Sequence, residues 1–341
     1  MKQPWREMMP VIPLDQIQAR FKQALLKRDM SPESAEKLAA GFVEMANEGV
    51  YSHGINRFPV FISQVDQGHI HLNSVPECVN SFGALEQWDC HLGPGILNGL
   101  TCADRAMELA RDYGVGMVAM RNSNHWMRGG TYALKMARAG FAGIAATNSI
   151  AVMPAWGARD CRIGNNPLMM AIAGDPPVLV DCSMSQYSNG QLQNHALAGQ
   201  SLSVHGGFDN EGNPTTDPEI LLDNKRLMPM GFWKGSSLSI VLDMMLTAIS
   251  GGNSVRALTE DVGAEFGVSQ FLIAIDVSKT MDQTQFQQEM QRIREYVLAS
   301  EPAETGQIRI AGSGIQSYID KHQQQGGIEI HSEIWQQILS L

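Results

Sequence analysis

Gly93-Pro94-Gly95-Ile96-Leu97-Asn98-Gly99 is the stretch on which the fold turns. It comes nearest in the chain to the Gly-x-Gly-x-x-Gly fingerprint of a Rossmann unit, yet its last glycine falls one residue late and proline occupies the turn. No clear βαβ unit with an acidic residue about 20 positions later follows it. The stretch therefore reads as a loop entering a helix. If this chain binds a dinucleotide, it does so on a different framework.

On the N-terminal side of that loop the pattern is helical. Ile17, Phe21, Leu25 and Leu26 recur at helical spacing between Leu14 and Arg28. Ser31 reads as an N-cap with Pro32 at the first helical position, and Leu38, Phe42, Val43 and Met45 follow before Gly49 closes the helix. On the C-terminal side, short β-like runs at Gly116–Met120, Gly143–Thr147 and Val178–Asp181 alternate with helical segments, as in an α/β domain. Gln283 to Ser300 is helical again and rich in Gln and Glu, and Ile315 to Leu341 is helical or irregular. We expect residues 1–80 and 283–341 to form one mainly helical unit around an α/β unit at 81–282.

The totals narrow the function. With 341 residues and 44% hydrophobic residues the chain can bury a large core without staples. A formal net charge of -10 argues against a nucleic-acid surface, and no apolar run approaches the roughly 20 residues of a membrane helix. The five cysteines, Cys78, Cys90, Cys102, Cys161 and Cys182, lack Cys-x-x-Cys spacing, so neither a disulfide framework nor a zinc cage is suggested. Small-molecule chemistry in a reducing cytoplasm is the expectation, with no export signal at Met1–Leu14 and no metal, since no His-x-x-x-His or His-Glu-x-x-His pair occurs.

The chemistry is concentrated in Tyr51-Ser52-His53-Gly54-Ile55-Asn56-Arg57-Phe58-Pro59, just past a helix stop. An imidazole able to carry a proton near neutrality, followed four residues on by a guanidinium that can clamp a carboxylate, is suited to reducing a keto acid. His53 could equally be a cation capping the preceding helix. His125, in Asn124-His125-Trp126-Met127-Arg128-Gly129-Gly130, follows a β-like run as ligand loops in α/β sheets do, though Asn and His also make plain turns. Asp181 and Ser183 end an apolar run that reads as a buried strand and could hold ribose or phosphate. Gly231-Phe232-Trp233-Lys234-Gly235-Ser236-Ser237 precedes the apolar helix Leu238–Leu246, placing Lys234 and free amides at a positive helix end. Gly312-Ser313-Gly314 is a third anion-binding turn, and Thr147-Asn148-Ser149 together with Ser52 could line a pocket.

Taken together these segments resemble the malate, L-lactate and L-sulfolactate dehydrogenase-like oxidoreductases, a family distinct from the Rossmann-type lactate and malate dehydrogenases. The resemblance rests on four motifs in order: Tyr51 to Pro59, Asn124 to Gly130, Thr147 to Pro154 and Pro229 to Ser236. It implies a mixed-sheet, non-Rossmann cofactor domain and a homodimeric reductase using NAD, or alternatively NADP, on a small keto acid. It further implies that His53 is the proton donor, with Arg57 and His125 beside it. Cofactor contacts would come from Pro177, Val178, Leu179, Val180, Asp181, Cys182 and Ser183, from Trp233 and Lys234, and from Gly312, Ser313 and Gly314. Two positions depart from the family pattern: Ala311 to Gly314 replaces a Pro-Gly pair followed by polar or acidic residues, and Asn165 replaces a threonine. Outside the family, a non-catalytic sugar-acid binding protein or a metal-dependent hydrolase would be the competing readings.

Overall fold

A seven-stranded mixed sheet forms the centre of the protein, whose computed structural model describes residues 9–304 and 306–341. Across the sheet the strands run Glu77–Phe82, Leu85–Asp89, Val115–Asn124, Phe266–Ile275, Ala142–Thr147, Leu168–Ile172 and Val178–Cys182. Only Leu85–Asp89 with Val115–Asn124 is a parallel pair; the other neighbours are antiparallel. A Rossmann sheet is parallel, so this is the mixed, non-Rossmann α/β architecture expected.

Alternation of side chains decides which layer each face of the sheet receives. Val118, Met120, Leu272 and Ala274 point to one side, into a core shared with helices Gly95–Tyr113 and Gly130–Arg138. Ala119, Ala146 and Phe271 point to the other, where Leu242 and Leu246 of helix Trp233–Ser250 cover them. Helix Gly95–Tyr113 does begin at the glycine-rich loop. Gly95 is needed there, because a Cβ would stand 2.3 Å from the Asn124 carbonyl oxygen and 2.5 Å from that of His125. The glycine permits close approach to the protein's own backbone rather than to a phosphate.

A separate apolar cluster joins the chain ends. Helices Leu14–Leu26, Pro32–Asn47 and Phe58–Asp66 pack Phe21, Phe42, Phe58 and Phe61 together, and Ile328, Ile330, Trp335 and Ile338 from the C-terminus complete the cluster. Phe21 and Phe58 stack at 3.8 Å with Phe42 edge-on to both. Val11–Ile12 pairs antiparallel with Ile328–Glu329, closing the unit. Ser31 caps its helix as its position suggested, accepting the Ser34 N–H at 3.3 Å. Helix Gln283–Leu298 contributes nothing to this cluster; Phe286, its one buried residue, lines a groove of about 1270 Å³ beside Pro177 and Val178.

Candidate active site

His53 stands at the end of a 3-10 turn, Tyr51–His53, and Arg57 at the end of a second, Ile55–Arg57. Gly54 between them is required: a Cβ would meet Ala46 at 2.8 Å and the Phe42 carbonyl oxygen at 2.8 Å, so the chain turns flush against the preceding helix. Ser52 Oγ and His53 Nδ1 are 2.9 Å apart. A hydroxyl donating to Nδ1 of neutral His53 leaves the ring proton on Nε2. Ser52 is itself backed by Gly190, where a Cβ would come within 2.7 Å of its hydroxyl.

The sheet delivers the second imidazole. His125 follows directly on strand Val115–Asn124, and its ring stacks on that of His53 with centroids 5.6 Å apart and planes 21° from parallel. His125 Nδ1 accepts the Met127 N–H at 3.0 Å, so this ring is a neutral donor through Nε2. Burial, then Arg57 and His53, hold its pKa well below the ordinary value. His53 is pushed down to about 4 by burial first, then by the cations Arg57 and Arg128. The free site therefore holds two neutral imidazoles next to Arg57 and Arg128, with Arg128 paired to Glu48 and Arg57 carrying an unpaired Nε able to meet an anion. Arg57 Nε is buried without a hydrogen-bond partner.

Arg128 was not distinguished by the sequence, although it lies within the His125 motif. It pairs with Glu48, which also accepts Arg138 Nη2 at 2.7 Å, and its Nε lies 3.9 Å from Asp181 Oδ2. Tyr51 is similarly tied from afar: its hydroxyl meets His322 Nε2 at 2.8 Å, while His322 Nδ1 is 3.0 Å from the Asn47 carbonyl oxygen. Such contacts join residues about 80 and 270 positions apart, so no local pattern announces them.

Two of the segments suggested for a cofactor adjoin the third, one near each end of strand Val178–Cys182. Leu179 N–H donates to the Ala311 carbonyl at 3.3 Å, and Gly312 (φ 84) lies so close that a Cβ would be 3.1 Å from Leu179 N. Met230 N–H donates to the Met184 carbonyl at 2.7 Å, tying the run after Ser183 to the start of helix Trp233–Ser250. Two details differ from the sequence reading. Val178–Cys182 is not a buried strand but the edge of the sheet, open along Val180 and Asp181. Trp233 and Lys234 do not precede the helix; they are its first turn, because Gly231 (φ 59) and Phe232 (φ 60) break the chain just ahead of them. The amides of Lys234, Gly235 and Ser236 are engaged within the helix start, so the fit of this cradle of edge strand, glycine turn and helix start to an anionic dinucleotide rests on the exposed Lys234 side chain and the open strand edge at Val180 and Asp181. Asp181 Oδ2 accepts the Gly130 N–H at 2.9 Å, linking this cradle to the His125 loop.

Thr147, Asn148 and Ser149 are placed differently. Asn148 donates to the Asn253 carbonyl at 2.7 Å and to Asp243 at 3.2 Å and accepts the Ser269 N–H at 2.9 Å; Ser149 Oγ is 2.8 Å from Asn165 Oδ1. Thr147 Oγ1 donates to the Asn148 carbonyl at 3.1 Å. All three are buried, and their polar atoms are engaged in holding the loop together.

A sequence model of the malate/L-lactate dehydrogenase family matches residues 12–339. The chain belongs to that family. It is accordingly an oxidoreductase, and membership implies a nicotinamide cofactor. Among relatives, the chain is 46% identical over 331 residues to the 2,3-diketo-L-gulonate reductase of Klebsiella pneumoniae (strain 342), covering 97% of this chain and 99% of that one. Among solved structures, malate dehydrogenase from Entamoeba histolytica superposes with a TM-score of 0.91 at 26% identity, covering 97% of both chains. Sulfolactate dehydrogenase from Methanocaldococcus jannaschii gives 0.88 at 26% identity, covering 96% of this chain and 95% of that one. The family fold is thus shared by enzymes named for different acids. No helix among the described residues is long and apolar enough to cross a membrane.

Proposed function

We propose that this family member reduces 2,3-diketo-L-gulonate to 3-dehydro-L-gulonate, with NADH as reductant. The observation that carries the reading is the juxtaposition of His53, stacked on His125, with Arg57, whose Nε is buried and unpaired. The name of the relative at 46% identity supplies the substrate. Arg57 holds the C1 carboxylate, because a guanidinium edge matches two carboxylate oxygens and fixes which carbonyl faces the nicotinamide. When bound, the reduced nicotinamide supplies the hydride that C2 receives. His53, protonated as the acid binds, gives its Nε2 proton to the developing alkoxide and returns to a neutral imidazole that keeps its Nδ1 proton, while Nε2–H of His125 donates a hydrogen bond to the substrate.

Pro177 to Ser183, Trp233, Lys234 and Gly312 to Gly314 hold the cofactor in this reading. A homodimer is supported by helix Trp233–Ser250, which exposes Leu238, Val241, Met244 and Met245 as an apolar ridge. The five free cysteines agree with a reducing cytoplasm.

Loss of absorbance at 340 nm tests the proposal, with NADH or NADPH against 2,3-diketo-L-gulonate, pyruvate and oxaloacetate. Selective turnover of the diketo acid is expected, and the faster reductant identifies the cofactor. Turnover of another acid alone replaces the substrate.

A further inference from the structure

The group facing Arg57 is an acid. Glu265 Oε2 lies 3.6 Å from Arg57 Nη2, with 24% and 31% of the respective side chains exposed, so the pair is partly open to solvent. Glu265 leaves the turn after Gly263 and directly precedes strand Phe266–Ile275, whose Phe266 pairs with Asn124, the residue before His125. The strand register that delivers His125 therefore delivers Glu265 to the same place.

At 3.6 Å the contact is electrostatic rather than a hydrogen bond. Arg57 is not consumed by it, since Nε remains buried without a partner and Nη2, on the same edge, makes no hydrogen bond to Glu265 at 3.6 Å, so that edge can still receive a substrate carboxylate. With that edge filled, Glu265 lies beside the bound acid on its Arg57 side. A carboxylate accepts hydrogen bonds from hydroxyl groups and repels a second anion, and the repulsion acts over several ångströms in a partly buried site. The enzyme family includes members named for acids with a second anionic group and a relative named for a hydroxylated one, so such a group would separate the two classes.

We propose that Glu265 is a specificity-determining residue, accepting hydrogen bonds from the hydroxylated tail of a keto acid held by Arg57 and turning away keto acids that carry a second anion. The inference rests on the reading of Arg57 as the carboxylate clamp. Its test is the ratio of kcat/KM for 2,3-diketo-L-gulonate to that for oxaloacetate, measured with NADH on the wild type, Glu265→Gln and Glu265→Asp.

The wild type should favour the diketo acid, Glu265→Gln should lower the ratio by about tenfold or more, and Glu265→Asp should retain most of it because the charge remains. Nicotinamide affinity equal to the wild type in both variants shows that they are folded. A ratio within about twofold of wild type in Glu265→Gln overturns the assignment, as does equal loss in Glu265→Asp; in either case the clamp and the reductase activity stand. If the wild type oxidises NADH with neither acid, the functional reading falls and this inference with it.

Discussion

His53 is neutral in the free protein, yet a ketone can be reduced only if a proton is at hand. Burial and then the cations Arg57 and Arg128 lower its pKa to about 4, and the cations also resolve the conflict. A neighbouring cation disfavours imidazolium, so a substrate carboxylate seated on Arg57 cancels part of that field and raises the imidazole pKa as it binds. Binding of a keto-acid analogue such as oxamate should then take up protons near neutrality, and affinity should fall as pH rises. Calorimetry in buffers of different ionisation enthalpy reads the proton directly; zero uptake would separate His53 from the carboxylate site. Arg57→Gln removes the cation, so the His53 pKa should rise, which NMR titration of labelled histidine measures, while KM for the acid rises by roughly 10-fold or more through loss of the charged fork. His53→Asn should lower kcat by about 10²-fold to 10⁴-fold with nicotinamide affinity near wild type, the pattern of a lost general acid. Unaltered turnover in that variant would remove His53 from the chemistry.

Each side chain proposed for the site is presented by the end of an element rather than its middle. Two 3-10 turns carry His53 and Arg57, a strand end carries His125, and an edge strand, a glycine turn and a helix start form the cradle. Gly312 tests the cradle. Alanine there would have to hold φ near 84 and fit a Cβ 3.1 Å from Leu179 N, so the turn should shift and nicotinamide dissociation constants should rise by about 5-fold to 10-fold. Fluorescence titration with NADH is the measurement, and an unchanged constant would place the cofactor elsewhere. Much at this scale was legible in the residues: the cap at Ser31, the strands from Gly116 and Gly143, and the helix entry at Gly95 all follow local chemistry. What could not be read is pairing across distance. Strand Phe266–Ile275 inserts between two strands more than a hundred residues earlier, and that insertion brings Glu265 beside Arg57. Val178–Cys182 looked buried because its residues are apolar, but apolar composition does not distinguish a sheet edge from its centre.

At the scale of the molecule, the helical cluster and the sheet meet through charge as well as apolar contact. Glu48, at the end of helix Pro32–Asn47, is 5% exposed and receives both Arg128, 6% exposed, from the His125 loop and Arg138 from helix Gly130–Arg138. Because Glu48 closes the helix that leads into Tyr51 to Arg57, this network fixes the His53 turn relative to the strand end that bears His125. A buried pair adds little net stability when intact, since desolvation offsets attraction; breaking it on one side leaves a charge stranded. Glu48→Gln leaves buried Arg128 with only the distant Asp181, at 3.9 Å, as a carboxylate partner, and unfolding free energy from urea denaturation should fall by roughly 3–5 kcal/mol. Glu44 offers the comparison: it meets Arg138 at 3.7 Å on the surface, where solvent screens the pair. Glu44→Gln should therefore cost no more than about 1 kcal/mol. Equal losses in the two variants would show that the network is ordinary surface charge. A large loss confined to Glu48→Gln, accompanied by a lower kcat in the variant that remains folded, would show that one buried carboxylate couples the stability of the two units to the geometry of the site between them.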